Sequence, residues 1–260
     1  MRHYIRDMNF DISHLLEHWD YQPGQVVVRK FTAKDGVVKI QLRVDLGLLQ
    51  MNAEGRPDGK HPLGYPSIYD YYQTKLYKHL AANEGSDTGF RLKPEDCAKL
   101  QLEALQYHHR YICLLELEDF DAVVRDTERN LAVFEFVKKH ADSEDLIWSI
   151  AQFKPQLLLI QTRAQARQAL CADDYSAAIQ FIDTGLTQIQ EFYREHSRNE
   201  MADQSSEVHY LKNWLEEVSA KRPLTKREQL EKALNEAVNN EDYERAAQVR
   251  DELRNLKSTE

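Results

Sequence analysis

The feature that most constrains the fold is a pair of apolar helical stripes near the end of the 260-residue chain, separated by a short polar turn. The first stripe consists of Leu230, Leu234, Ala237 and Val238. The second has a predicted inner face formed by Tyr243, Ala246, Ala247, Arg250, Leu253 and Leu256. Intervals of three and four residues place side chains on one face of an α-helix. Because only Asn239-Asn240-Glu241-Asp242 joins the stripes, the pattern predicts an antiparallel helical hairpin.

Residues 225–257 resemble the UVR motif, the hairpin near the C-terminus of the excinuclease subunits UvrB and UvrC. The resemblance is carried by Asp242-Tyr243-Glu244, Ala246-Ala247, Arg250-Asp251, Leu253 and Leu256. In known families this hairpin mediates protein–protein contacts, and it also occurs in regulators of arginine phosphorylation and in Clp-type chaperone subunits. Since the resemblance covers about an eighth of the chain, it implies an interaction role and no activity.

The hairpin is therefore the predicted protein-binding site. The predicted binding residues are Leu230, Leu234, Tyr243, Ala246, Ala247, Arg250, Asp251 and Leu253. We expect Tyr243 to anchor the contact, and Arg250 and Asp251 to set its register. A segment of this size buries too little surface to fold alone, because chains below about 40 residues usually need a staple or a partner. Its apolar face is expected to dock on the body of the protein, on a second copy, or on the equivalent hairpin of a partner.

The turn before Tyr243 has two weaker counterparts upstream. The three turns are Glu118-Asp119-Phe120, Asp173-Asp174-Tyr175 and Glu241-Asp242-Tyr243. Acids are favoured there because the N-terminus of a new helix offers unpaired N–H groups. The middle copy resembles a tetratricopeptide repeat, through Ala166, Ala169, Tyr175, Ala178, Ile182 and Gly185. The first copy departs from that pattern and the turns are more than about 34 residues apart. A degenerate helical repeat and a chance series of hairpins therefore both remain open.

The N-terminal part of the chain has a different period. From Val38 to Leu48, apolar and polar side chains alternate, and Lys34-Asp35-Gly36 connects this stretch to Gln25–Phe31. A period of two with Asp-Gly in the connection predicts a β-hairpin, whose second strand runs from Val37 to Met51.

Glycine and proline mark residues 53–66 as a loop, and Ser67-Ile68-Tyr69-Asp70 has the form of a capping box that opens an aromatic helix. Residues 19–72 also resemble the N-terminal region of bacterial proteins with a C-terminal UVR motif, a resemblance that implies no activity. From Pro94 onward the pattern is helical, and Pro155 is expected to kink or break its helix.

These patterns predict a mainly α fold with three parts. The predicted domains are a β-hairpin and helix module over residues 1–84, a tetratricopeptide-like helical body over 93–221 and a UVR-like antiparallel hairpin, with coiled-coil packing, over 225–257.

Composition limits the cellular compartment and the classes of partner that we expect for this chain. No apolar run approaches the roughly 20 residues that span a bilayer. The three cysteines, Cys97, Cys113 and Cys171, are widely spaced, which favours buried thiols in a reducing compartment over a disulfide framework. A net charge of −9 disfavours non-specific binding to nucleic acid. We therefore expect a cytoplasmic protein without a membrane contact.

Three short patterns suggest chemistry, and each has a plainer reading. His14-Leu15-Leu16-Glu17-His18 matches the H-x-x-E-H zinc-protease signature but lacks the family's surroundings, so a solvated helix end is favoured. The second, His108-His109 with Cys113 and Glu116, offers metal-ligand spacing on one helix, where a wet helix face is the plainer reading. The third is a loop cluster suited to a small anion, formed by Arg56, Asp58, Lys60 and His61, in a stretch without a P-loop pattern.

The sequence thus favours a non-enzymatic adaptor, for which we predict no catalytic residue, cofactor or metal ligand. The alternative is a nucleic-acid-associated factor in repair or stress response. Its candidate contact residues are Arg29, Lys30, Lys39 and Arg43, on a basic face of the β-hairpin.

Overall fold

The computed structural model describes residues 11–196 and 198–257, and it confirms a mainly α fold with a small antiparallel sheet near the N-terminus. The elements are α1 Ser13–Leu16, β1 Val28–Thr32, β2 Val38–Val44, β3 Gly47–Asn52, a 3-10 turn at Pro62–Gly64, α2 Ile68–Ala82, α3 Pro94–Glu116, α4 Phe120–His140, α5 Glu144–Ala151, α6 Lys154–Cys171, α7 Tyr175–Glu195, α8 Asn199–Gln204, α9 Ser206–Lys221, α10 Lys226–Asn239 and α11 Tyr243–Lys257. They form two compact units, one that extends up to Leu215 and one that begins at Glu216.

Within the part of the chain that the structure describes, the sheet has three strands in the order β1-β2-β3, so the predicted β-hairpin is present and is extended by one strand. The prediction of one continuous strand from Val37 to Met51 was wrong, because the chain turns back at Asp45-Leu46 and pairs Arg43 with Leu48. Arg43 stabilises this turn, since its guanidinium donates hydrogen bonds to the carbonyl oxygens of Asp45 and Gly47, both at 3.0 Å.

The apolar face of the sheet shares one core with α2, α3 and α4. Ile40 and Met51 are buried in this core together with Tyr72 and Leu100. The predicted start of α2 is confirmed, because Ser67 is its N-cap and Ser67 Oγ accepts a hydrogen bond from the Asp70 N–H at 3.0 Å. This is the N-cap half of the capping box that the sequence predicts, and the Asp70 carboxylate accepts from the Ser67 hydroxyl at 2.6 Å. Sheet and aromatic helix are therefore fixed on the helices that follow.

Helices α3 and α4, α6 and α7, and α10 and α11 pack as three helical hairpins, and α4 also packs against α6. The predicted break at Pro155 is confirmed, since α5 ends at Ala151 and Pro155 lies in the first turn of α6. Proline is tolerated there because the first-turn N–H groups have no partner within the helix.

The three acidic turns share one backbone conformation. The first acidic residue of each turn has a left-handed backbone conformation, with φ of 56° at Glu118, 57° at Asp173 and 59° at Glu241. In each turn the N–H of the next residue donates a hydrogen bond to the carbonyl oxygen five positions earlier: Asp119 to Leu114 (3.0 Å), Asp174 to Ala169 (2.9 Å) and Asp242 to Ala237 (2.8 Å). This is the Schellman pattern of helix ends, which usually has glycine at the left-handed position. The sequence likeness of the three turns is therefore also a likeness of structure.

Candidate functional site

The C-terminal hairpin begins with a reciprocal cap. Thr225 Oγ1 accepts a hydrogen bond from the Glu228 N–H at 3.2 Å, and Glu228 Oε2 accepts one from the Thr225 N–H at 2.7 Å. Arg222 donates to the same carboxylate at 2.5 Å, and this contact is the largest cause of a Glu228 pKa lowered to about 2. Thr-x-x-Glu ahead of an apolar stripe is a capping-box pattern, so the start of this helix could have been predicted from the sequence.

The inner face of the hairpin contains part of the predicted set. Leu230 and Ala246 are buried, and Leu234, Ala247 and Leu253 are half-buried. Val249, which was not predicted, is also buried against this face. Small side chains such as Ala246 let the two helices of the hairpin approach closely, since the distance between packed helices depends on the side chains at their contact.

Three predicted residues lie on the outside of the hairpin. Tyr243 is 70% exposed, and Arg250 and Asp251 are exposed and 3.8 Å apart. The prediction that Tyr243 and Arg250 belong to the inner face was wrong, because the buried row of α11 runs through Ala246 and Val249. The prediction for the Leu256 side chain lies outside the described residues.

The hairpin thus divides the predicted residues between two roles. The inward set holds α10 against α11, while Tyr243, Arg250 and Asp251 are accessible to a partner. Val238, on the other side of the turn, adds a second exposed apolar side chain. Asp242 Oδ1 accepts a hydrogen bond from the Arg245 N–H at 3.1 Å, so this carboxylate is used to cap α11.

The cluster that suggested an anion site is tied into the fold of the first unit. Arg56 contacts two carboxylates, with Nε 2.9 Å from Glu103 Oε1 and Nη1 2.9 Å from Asp58 Oδ2. The Glu103 carboxylate also accepts hydrogen bonds from the N–H groups of Ile68 at 2.7 Å and Tyr69 at 3.2 Å, where α2 begins. Arg56 is thereby neutralised by acids, which weakens its fit to an anionic ligand.

A second buried ion pair holds the same loop. Arg110 and Asp126 are almost fully buried and pair through two hydrogen bonds, of 2.6 and 2.8 Å. The remaining guanidinium nitrogen donates to the carbonyl oxygens of Asn52 at 3.1 Å and Gly55 at 2.7 Å. Sequence patterns do not reveal this arrangement, since its members come from three separate segments.

The two patterns with metal-ligand spacing are not assembled into clusters. In the first, α1 ends at Leu16, before Glu17 and His18. In the second, Cys113 is fully buried, and burial raises its thiol pKa to about 12. Across residues 11–196 and 198–257, no group of three or more His, Cys, Asp or Glu side chains is placed to hold a metal ion.

The four basic residues of the sheet do not share one face. The strand register places Lys30 opposite Ile40 on the core side, and Lys30 Nζ reaches Asp119 at 2.8 Å. On the other side, Arg29 lies 4.1 Å from the centre of the Trp19 ring, and Arg43 Nε donates to the Trp19 carbonyl at 2.8 Å. The predicted basic face is therefore smaller than expected and partly covered by the segment at Trp19.

Comparison with known proteins agrees with the hairpin geometry. Residues 225–259 match the model of the UvrB/uvrC motif, UVR. No curated protein and no solved structure matches the chain. None of the helices described between residues 11 and 257 has the length and apolar character that crossing a bilayer requires. The match supports an interaction role, with protein or with DNA, for the C-terminal hairpin.

Proposed function

We propose that this protein is a non-enzymatic adaptor that binds another protein through its C-terminal hairpin. The observation that carries the proposal is the exposure of Tyr243 beside a turn whose other flank exposes Val238. Tyrosine is enriched in protein interfaces, because its ring buries a large area while its hydroxyl keeps a hydrogen-bond partner. Arg250 and Asp251, also exposed on α11, supply polar contacts at the edge of the interface.

The small interior of the hairpin supports this role. Among the described residues from Glu216 onward, the buried side chains are Val218, Leu230, Ala237, Ala246 and Val249. Such a core stabilises a helical pair only weakly, so the hairpin gains stability when a partner covers its outer apolar residues. The partner is a protein, either one with an equivalent hairpin or a second copy of this chain.

The helical body has the role of a scaffold in this proposal. The shared turns at Glu118 and Asp173, with α4 packed on both α3 and α6, support a degenerate tetratricopeptide-like repeat. The most buried charged side chains of this body, including Glu103, Arg110 and Asp126, bind neighbouring residues, which supports a structural rather than a catalytic use. The three cysteines are unpaired thiols, and this supports a reducing compartment such as the cytoplasm.

The alternative, a nucleic-acid-associated factor, has less support. Its cations Arg29 and Arg43 are held by Trp19, and Lys30 pairs with Asp119. A gel-shift titration with duplex DNA and single-stranded RNA at low and moderate salt distinguishes the two functions. A salt-dependent shift that is lost on charge reversal of Arg29, Lys39 and Arg43 would favour the alternative.

The experiment that tests the adaptor function is affinity purification from the native host, with the full chain and with a chain that lacks residues 225–260. We expect a defined protein to co-purify in stoichiometric amounts with the full chain only. Sedimentation of the purified protein detects a second copy as the partner. Recovery of the same protein with both chains would contradict the proposal.

A further inference from the structure

A cleft of about 410 Å³ opens in the first unit between α3, α4 and the break that separates α5 from α6. Its floor includes the buried side chains of Tyr111, Phe134 and Ile150. Its walls include Leu102, Leu105 and Phe153, which expose about half or more of their surface. At this point α5 ends at Ala151 and α6 begins at Lys154, with Pro155 in its first turn, so α5 and α6 do not continue as one helix.

The most specific property of the cleft is that its lining contains no charged side chain. None of its eleven lining residues is Asp, Glu, Lys or Arg, although these types make up 30% of the chain. A charged ligand would lose hydration here and find no counter-charge in the lining. The volume lies within the range of about 300–1,000 Å³ that is usual for small-molecule pockets.

One hydrogen-bonding side chain of the lining, His108, is oriented by a neighbour. His108 Nδ1 lies 2.8 Å from the Tyr111 hydroxyl, and no described residue contacts Nε2 by a hydrogen bond. Burial, with a smaller contribution from His109, lowers the pKa of His108, which favours the neutral imidazole at pH 7. A neutral imidazole offers Nε2 as a donor or an acceptor, according to its tautomer.

We propose that this cleft binds an uncharged, largely apolar small molecule that carries one hydrogen-bonding group. The apolar body of the ligand lies between Leu102 and Leu105 on one side and Phe153 on the other, and the polar group meets His108. All eleven lining residues belong to the first unit, and the proposal does not depend on the adaptor function.

The test uses a matched pair of fluorescent probes with the full-length protein. N-phenyl-1-naphthylamine is uncharged, and 8-anilino-1-naphthalenesulfonate has the same ring framework with an added sulfonate. We expect saturable binding of the uncharged probe at one site per chain, and binding of the sulfonate at least tenfold weaker.

Two variants locate the site. Leu102→Glu places a charge on the wall of the cleft, and we expect it to weaken binding of the uncharged probe at least tenfold. Leu63→Glu is the matched control, because Leu63 and Leu102 are both 65% exposed and Leu63 lies outside the cleft. Since both positions are exposed, both variants should keep the far-ultraviolet circular dichroism of the wild type.

Three results of the probe titrations would overturn the proposal: no saturable binding of the uncharged probe, equal binding of the two probes, or binding that Leu102→Glu leaves unchanged. Sedimentation provides a further test. If the wild-type protein is a dimer and Leu102→Glu dissociates it, a second copy of the chain covers the cleft and the proposal is overturned.

Discussion

Lys30 Nζ lies 2.8 Å from Asp119 Oδ2 and so joins the sheet to the first of the three acidic turns. Asp119 occupies the position of Asp174 and Asp242, whose carboxylates cap the next helix through hydrogen bonds of 2.9 and 3.1 Å. In the first turn the carboxylate contacts the lysine instead, and α4 has no side-chain cap. The aspartate at this position of the turn therefore caps a helix in two of the turns and pairs with a lysine of the sheet in the other.

This difference predicts unequal effects of the same substitution. Asp174→Ala should lower the free energy of unfolding by about 1 kcal/mol, the usual value of a helix cap. Asp119→Ala should lower it by less than about 0.5 kcal/mol, because a partly exposed ion pair contributes little. Urea denaturation of the two variants provides the comparison. An Asp119→Ala effect as large as that of Asp174→Ala would mean that the Lys30 contact is stronger than its exposure implies.

Gly185 lies where α6 and α7 approach closely. A Cβ added at Gly185 would lie 2.0 Å from Thr162 Oγ1, and Thr162 is itself buried. Gly185→Ala should therefore reduce stability by roughly 1–3 kcal/mol, the usual range for overpacking. Thr162→Ala removes the two nearest atoms, so the double variant should recover part of this loss in thermal unfolding. Strictly additive effects would contradict the clash.

The buried pair of Arg110 and Asp126 gives a prediction with an internal control. Arg110→Met leaves the Asp126 carboxylate buried without its main partner, a change that typically lowers stability by about 3–5 kcal/mol. Arg125 also contacts Asp126, at 3.0 Å, but is more exposed. Arg125→Met should therefore lower stability by only about 0–1 kcal/mol in the same urea titration. Equal losses would show that the pairs contribute alike.

The lowered pKa of Glu228 predicts how the hairpin responds to acid. Because its folded-state pKa is about 2, below the ordinary value of 4.5, the carboxylate favours the folded hairpin above pH 4.5. This contribution should be lost as the pH falls from 4.5 towards 2. Carboxyl carbon shifts in a pH titration by NMR give the midpoint for Glu228. Arg222→Met should move that midpoint up towards 4.5, and an unchanged midpoint would rule out Arg222 as the main cause.

The sequence predicted those helix ends and turns that are determined by a few neighbouring residues. Ser67 begins a helix, Pro155 lies in the first turn of a new one after the break, and Lys34-Asp35-Gly36 reverses the chain between two strands. The reversal at Asp45-Leu46 was missed, because no glycine or proline marks the two central residues and the alternating pattern runs through them.

The sequence predicted which segment forms the candidate site, but not which side chains of α11 are buried against α10 and which are exposed. Alanines at 246 and 247 leave the rotation of α11 undecided from the sequence pattern, whereas in the structure α11 packs against α10 with Val249 buried and Tyr243 exposed. Contacts such as Arg56 with Glu103 join residues 47 positions apart, so no local pattern could reveal them.

The central claim is that the exposed face of the C-terminal hairpin binds a protein. Its most direct test is the dissociation constant of the protein co-purified with the full chain, measured for Tyr243→Ala and for Tyr77→Ala. The two tyrosines are matched, since Tyr243 is 70% exposed and Tyr77, on α2, is 73% exposed. We predict that Tyr243→Ala weakens binding at least tenfold and that Tyr77→Ala leaves it unchanged, because truncation of an anchoring tyrosine costs about 2 kcal/mol or more. Wild-type affinity of the Tyr243→Ala variant would contradict the claim.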